Sequence, residues 1–431
     1  MSVVGAGGVG PPGSGAATAG FRRAVAVITA GLLVTGLGWP GMLARLPLGL
    51  YLKNQLGLPP QDVAAFWAVG TLAWYIKPLA GLLCDSVPLW GARRRWYLVL
   101  GGAAATALWA ALAIVPRSYA ALLATVTALN VALVIISAAV GGLLIEVGHR
   151  HGATGRLSGL RLAIDGVMAL VAGPLGGWLA VRAFGWTAAA GAVVVFPLIP
   201  LALACGREPT VAARAGWAQA WRPVGIAVRS RALWLVLVFI FIAYLPPGFQ
   251  TALFYRQQDA LKFDPGTMGL MQLLGGAGAL VGAVIYARLC HRFRLRALLL
   301  AGIALNVVST ALYVRYNGFG SAVVITLASA VMGTLALLPF YDLAARAIPG
   351  GSESFGYSLI LSAQNLASLA VSEPFGAYLY GRVHVGFANL VWINTAFTAA
   401  VILFVPLLPP ALLTAREGES YPRGSSNRVS Q

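Results

Sequence analysis

From Phe21 to Leu413 the chain is one apolar stretch after another, parted only by short polar, Gly or Pro breaks. A stretch of roughly 20 apolar residues is the length of helix that crosses a bilayer, and in lipid only helices or closed barrels can satisfy every backbone N–H and C=O. Twelve such runs are present, at 22–51, 61–84, 96–115, 119–146, 156–181, 185–205, 231–255, 265–289, 296–314, 320–346, 354–380 and 386–411. They predict an all-α membrane protein with twelve transmembrane helices. Only 10% of the 431 residues are charged, against about 25% in a soluble domain, and the mean hydropathy is +0.81. A soluble enzyme, a nucleic-acid binder and a secreted domain are excluded on those grounds.

The net charge of +18 gains its meaning from where the charges sit. With the N-terminus placed in the cytoplasm, twenty of the thirty Lys and Arg fall on that side, and seven lie opposite. Arg45, Lys77 and Arg161 remain inside spans. This bias predicts an integral protein of the cell (inner) membrane with both termini cytoplasmic. The first twenty residues, rich in Gly, Ala, Pro and Ser, have no basic start followed by an apolar core, so residues 1–20 are expected to form a disordered tail rather than a signal peptide. Residues 412–431 are expected to form a second tail. Cys84, Cys205 and Cys290 imply no disulfide framework. His149, His151, His291 and His384 lack metal-ligand spacing, so no metal or cofactor is expected. There is no phosphate-cradling Gly-Lys-Ser/Thr loop, so any transport would be secondary and the chain is not an enzyme.

Residues 206–230 form the longest polar connection, and Trp217, Trp221 and flanking arginines suggest an amphipathic helix on the membrane surface. It divides the chain into six-helix halves, 21–205 and 231–411, and the halves repeat. Ala172-Gly173-Pro174-Leu175-Gly176 matches Ser372-Glu373-Pro374-Phe375-Gly376, and at the same offset Asp165 falls on Asn365 and Arg182 on Arg382. Six spans separate the copies, so the repeats are parallel, as in one class of secondary transporter. The third and sixth spans hold no Asp, Glu, Lys, Arg or His, and the strongly polar groups inside the ninth, past Arg296 at its edge, and inside the twelfth are asparagines. Every third span therefore faces lipid, and the intramembrane charges of the others line a central pathway.

Within that pathway Trp67, Thr71, Trp74 and Lys77 share a helix face. An ammonium beside indole rings can hold a carboxylate while the rings stack a flat heterocycle; alternatively Lys77 snorkels to an interfacial tryptophan belt. Arg161 and Asp165 stand one turn apart, as do Glu146 and Arg150, and Asp342 and Arg346. Asp165 opposite neutral Asn365 suits a single coupled proton, unless Arg161 simply keeps it charged. Ser358, Ser362, Asn365, Ser368 and Ser372 form a polar stripe with Gln364 alongside, lining either water or another helix. Trp39-Pro40-Gly41 and Pro246-Pro247-Gly248-Phe249-Gln250 break the first and seventh spans at matching places, which points to a binding region near Arg45 and Gln250.

Gly81, Asp85 and the basic run Arg93-Arg94-Arg95 resemble the Gly-x-x-x-Asp loop signature of the major facilitator superfamily. In such a signature the glycine lets helices approach and the carboxylate holds arginines in a latch that closes the cytoplasmic side. The longer string from Trp74-Tyr75-Ile76-Lys77-Pro78 through Cys84-Asp85-Ser86-Val87-Pro88-Leu89-Trp90-Gly91-Ala92-Arg93-Arg94 is similar to the folate-biopterin transporter family within that superfamily, and residues 47–58 resemble the same family's first extracellular region. The fourth span departs from the family's acidic pattern, with Ser137, Gly141 and Gly142 before Glu146. The resemblance implies a major facilitator fold and a symporter of a folate- or pterin-like solute working by alternating access, with lipid as surroundings and no nucleic acid partner. An exporter of another small organic solute, or a non-transporting assembly or sensor protein on the same scaffold, stays open as an alternative. Candidate substrate contacts are Arg45, Trp74, Lys77, Gln250, Gln364 and Asn365; candidate coupling and gating residues are Asp85, Arg93, Arg94, Arg95, Glu146, Arg161 and Asp165.

Overall fold

The structure is a computed structural model that describes residues 14–92, 94–150, 154–204, 213–290, 292–350 and 352–414. Arg93 and most of both expected tails lie outside the described residues, as do the side chains of Asp85, Arg150 and Ser158. Helix begins at Ser14, seven residues before the apolar run suggested, and a last short helix reaches Thr414.

Seven spans are single helices long and apolar enough to cross a membrane: Tyr119–Leu144, Ala163–Ala180, Phe184–Ala204, Pro265–Leu289, Leu295–Arg315, Phe319–Ala347 and Phe387–Leu407. They are the fourth, fifth, sixth, eighth, ninth, tenth and twelfth. The third, Arg95–Ala111, is shorter. The other four are interrupted, each near a proline that removes a backbone donor and crowds the preceding turn. The first consists of Ser14–Gly36, Pro40–Leu43 and Arg45–Asn54, and the second of Pro60–Gly70, Leu72–Tyr75 and Lys77–Ser86. The seventh consists of Arg231–Ala243 and Gln250–Asp259. In the eleventh, Glu353–Asn365 passes through a π turn, Leu366–Ser372, into Glu373–Gly381, with Pro374 just beyond the turn. The linker helix Ala213–Val228 meets the seventh span at 79°, so it runs across the bundle rather than through it.

Broken helices leave backbone groups that must find partners. At the first break the Trp109 indole donates to Gly38 O (3.0 Å), and Gly191 makes room for that ring, since a Cβ there would meet it at 2.1 Å. At the seventh-span break the partners come from the eleventh and twelfth spans. Gly248 N–H donates to Ser372 O (2.8 Å), Asn394 Nδ2 donates to Pro247 O (2.8 Å), and a Glu373 oxygen accepts from Thr251 N–H. Gly376 lies against this break so closely that a Cβ would fall 1.7 Å from Gly248 O.

Each half has its own apolar core. Ile28, Leu48, Phe66, Leu98, Trp109 and Leu129 anchor the first, and Leu233, Ile240, Leu299, Leu343, Ile360 and Val405 anchor the second. Between the halves the fifth and eighth spans meet backbone to backbone. A Cβ on Gly173 would sit 2.5 Å from Gly269 O, and one on Gly269 2.6 Å from Gly173 O. In membranes, helices associate through such close approaches rather than through the hydrophobic effect. Gly269→Val places two methyl groups where only rigid backbone could yield, and overpacking of this kind costs about 1–3 kcal/mol. A clear fall in the apparent melting temperature of the detergent-purified protein is expected, while Gly320→Ala, which meets nothing within 4 Å, leaves it unchanged.

Candidate functional site

A cavity of about 810 Å³ lies between the halves and reaches the end of the bundle that carries Arg94 and Glu146. Its walls come from the first, second, fourth, fifth, tenth and eleventh spans, with Pro223 of the linker helix at its mouth. Lys77, Trp74, Arg161, Asp165, Gln364 and Asn365 all line it.

Lys77 owes its position to the break in the second span: Ile76 leaves helical geometry and Lys77-Pro78 opens the next segment. Its ammonium lies 5.3 Å from the centre of the Trp74 ring, and among the described residues it makes no ion pair. Trp74 does not belong to a lipid-facing belt. Its indole donates to Asn130 Oδ1 (2.7 Å), which also accepts from the Trp39 indole (2.9 Å), and the two rings meet edge to face at 5.9 Å. Asn130 is fully buried and turns its own amide to Val126 O (2.9 Å). One amide oxygen thus fixes two indoles from two spans as an aromatic wall beside a cation. Asn130 and Trp39 were missed from sequence, although a lone amide within the most apolar span was a usable signal.

Across the cavity Arg161 and Asp165 form a loose pair, 3.9 Å apart, with side chains 43% and 51% exposed. Water reaches both, so Asp165 is open to exchange with the cavity. Gln364, on the facing half, also lines the cavity, with its Oε1 buried and, among the described residues, without a hydrogen bond. Ser362 Oγ donates to Trp74 O (3.3 Å), so that part of the polar stripe joins the eleventh span to the second instead of facing water.

Around the basic loop, Leu89 and Ala92 exchange backbone hydrogen bonds (3.0 and 2.9 Å) over Trp90 and Gly91, at φ 47° and 77°. Such a tight turn needs positive φ at both centres. It directs Arg94 back to the bundle, where Arg94 pairs with Glu146 of the fourth span. A Cβ on Gly142 would lie 2.6 Å from Arg94 Nε, so the glycine that departs from the family pattern admits the guanidinium. This pair lies within one half and does not tie the two halves together. Arg95 turns elsewhere, donating to Leu203 O (2.9 Å) at the end of the sixth span. A Cβ on Gly81 would meet nothing within 4 Å among the described residues, and the glycine forms part of the cavity wall, so the close helix contact expected of it is not made in this state. Asp342 and Arg346 form a two-pronged pair, both contacts 2.9 Å, away from the cavity lining.

Arg45 and Gln250 stand apart from Lys77. They line a smaller pocket of about 350 Å³ with Trp67, Gln272 and Tyr313. Beyond it, at the opposite end of the bundle, the halves are clasped. Lys53 pairs with Asp259 and donates to Gln258 Oε1 (2.9 Å), Gln258 Nε2 donates to Asn54 Oδ1 (2.9 Å), and Tyr255 OH reaches Leu58 O. The cavity is therefore open toward the arginine-rich end and shut at the other.

Two six-helix halves around a polar cavity, shut at one end, define a membrane transporter of the major facilitator fold. Solved structures share that fold: a D-xylose-proton symporter (TM-score 0.69, 14% identity, covering 91% of this chain and 98% of that one) and a POT family transporter (TM-score 0.69, 13% identity, 90% and 96%). The chain belongs to the BT1 family of folate-biopterin transporters, whose model matches residues 38–421. It is 29% identical to the folate-biopterin transporter of Synechocystis sp., covering 90% of this chain and 83% of that protein. It is 23% identical to the putative folate transporter 2 of Plasmodium berghei, covering 85% of each. The resemblance carried by residues 47–97 extends over nearly the whole chain, and the family is one of transporters, not enzymes.

Proposed function

We propose that this protein moves a folate- or pterin-like organic anion across the cell membrane by alternating access, coupled to a proton through Asp165. The observation that carries the reading is the Lys77 ammonium, unpaired among the described residues and set beside Trp74 in the wall of the 810 Å³ cavity. A cation inside a membrane span with no carboxylate partner among the described residues suits an anionic ligand, and an adjacent indole face suits a flat ring. The volume lies within the roughly 300–1,000 Å³ common for small-molecule sites. The arginine-rich end, taken as cytoplasmic by charge bias, makes the present state inward-facing, with Gly81 free to receive a neighbour when that end closes. Ligand-induced thermal stabilisation of the purified protein tests the substrate class. Carboxylated pteridines should raise the melting temperature more than uncharged pterins, and apolar amines should not raise it; the reverse order would point to an exporter of cations.

A further inference from the structure

Arg45 is a guanidinium inside the first span whose contact is the Trp67 ring, 4.9 Å from its centre; among the described residues it makes neither a hydrogen bond nor an ion pair. Guanidinium carries five donors and keeps its charge, so leaving it in the membrane without an acceptor is costly. The Glu373 carboxylate acts on Arg45 electrostatically without pairing with it and is engaged elsewhere. One of its oxygens accepts from Thr251 N–H, and Gly248 packs against the other, where a Cβ would lie 2.2 Å away. Glu373 thus serves the N-terminus of Gln250–Asp259, whose positive dipole end offsets its charge.

Resting on the organic-anion reading above, we infer that the 350 Å³ pocket around Arg45 is a second carboxylate-binding station on the same path, reached from the Asp259 end. Gln250, Gln272 and Thr326 supply hydrogen-bonding groups there, and Trp67 and Tyr313 supply aromatic surface. The pocket suits one carboxylate attached to a flat apolar body rather than a whole solute. Arg45–Asn54 and Gln250–Asp259 both run from this pocket to the clasp, so Lys53 stands about 12 Å beyond Arg45 at 1.5 Å per helical residue. Asp259 is exposed while Lys53 is largely buried, so water reaches this ion pair from one side.

The test uses the full-length protein in nanodiscs with two probes: p-aminobenzoylglutamate, which has carboxylates and no pteridine, and a carboxylated pteridine. A Lys53→Cys/Asp259→Cys pair bridged by a bifunctional methanethiosulfonate locks the clasp through mixed disulfides, and reduction frees it. In the reduced protein, Arg45→Gln should weaken p-aminobenzoylglutamate binding about ten- to hundred-fold, and Arg45→Lys should lose less. In the bridged protein, binding should respond to Lys77→Gln and not to Arg45→Gln. Equal loss with Arg45→Gln in both states, or no loss in either, overturns the second station. Pteridine binding that ignores Arg45 leaves the substrate reading standing and removes the station. Arg45-dependent binding of the tail probe without any pteridine binding does the opposite, and binding of neither probe to the parent protein rejects both.

Discussion

Proteoliposomes containing Asp165→Asn are expected to exchange labelled for unlabelled solute at close to the parent rate, yet to accumulate none when a proton gradient is imposed. Exchange returns the carrier loaded in both directions and moves no net proton, whereas accumulation requires a group that binds and releases one. What supports the proposed role of Asp165 is that it is half exposed to the cavity and lies 3.9 Å from Arg161. Its partner in the repeat is Asn365, on the facing half of the same cavity, so one side titrates and the other does not. Two other described carboxylates near the pathway have partners, Glu146 with Arg94 and Glu373 with Thr251 N–H. Accumulation that survives with an unchanged pH dependence would make Asp165 structural and move attention to those two.

Lys77→Gln should weaken binding of a carboxylated pteridine by about 1.5–3 kcal/mol, the range for a hydrogen bond to a charged group, which is about ten- to hundred-fold in Kd. An uncharged pterin should lose much less, because the aromatic wall stays in place: Trp74 and Trp39 are held by Asn130, not by Lys77. Isothermal titration with both ligands reads the difference directly. Equal losses would mean that Lys77 acts through the break at Ile76–Pro78 rather than on the ligand.

The transmembrane pattern was open to inspection in the sequence because hydrophobic length and proline positions act locally. The interruptions near Pro40 and Pro246 were readable as broken spans, whereas Pro174 and Pro339 lie inside continuous helices, so a missing donor favours a break without deciding it. Lys77, Arg161, Asp165, Gln364 and Asn365 were legible as a group for a related reason, since polar residues in apolar spans turn inward. What escaped depended on contacts between distant segments. Lys53 and Asp259 fall just past the predicted first and seventh spans, and nothing local marks them as partners until the fold brings their helices together. Gly142 looks like a packing glycine until Arg94 lies across it. Arg45 and Gln250 were grouped with Lys77 because both follow broken segments, but periodicity along a helix says nothing about which side of a constriction a residue occupies. Glu373, matched to Gly173 in the repeat, braces the seventh-span break, a contact between distant segments that the repeat pairing does not announce.

The most direct measurement is net uptake of a labelled carboxylated pteridine into proteoliposomes of the purified protein under an imposed proton gradient. Saturable accumulation above the external concentration, lost in Asp165→Asn and shifted to higher KM in Lys77→Gln, is the predicted result. Binding without any net flux, or flux indifferent to both residues, would contradict transport through the Lys77 cavity.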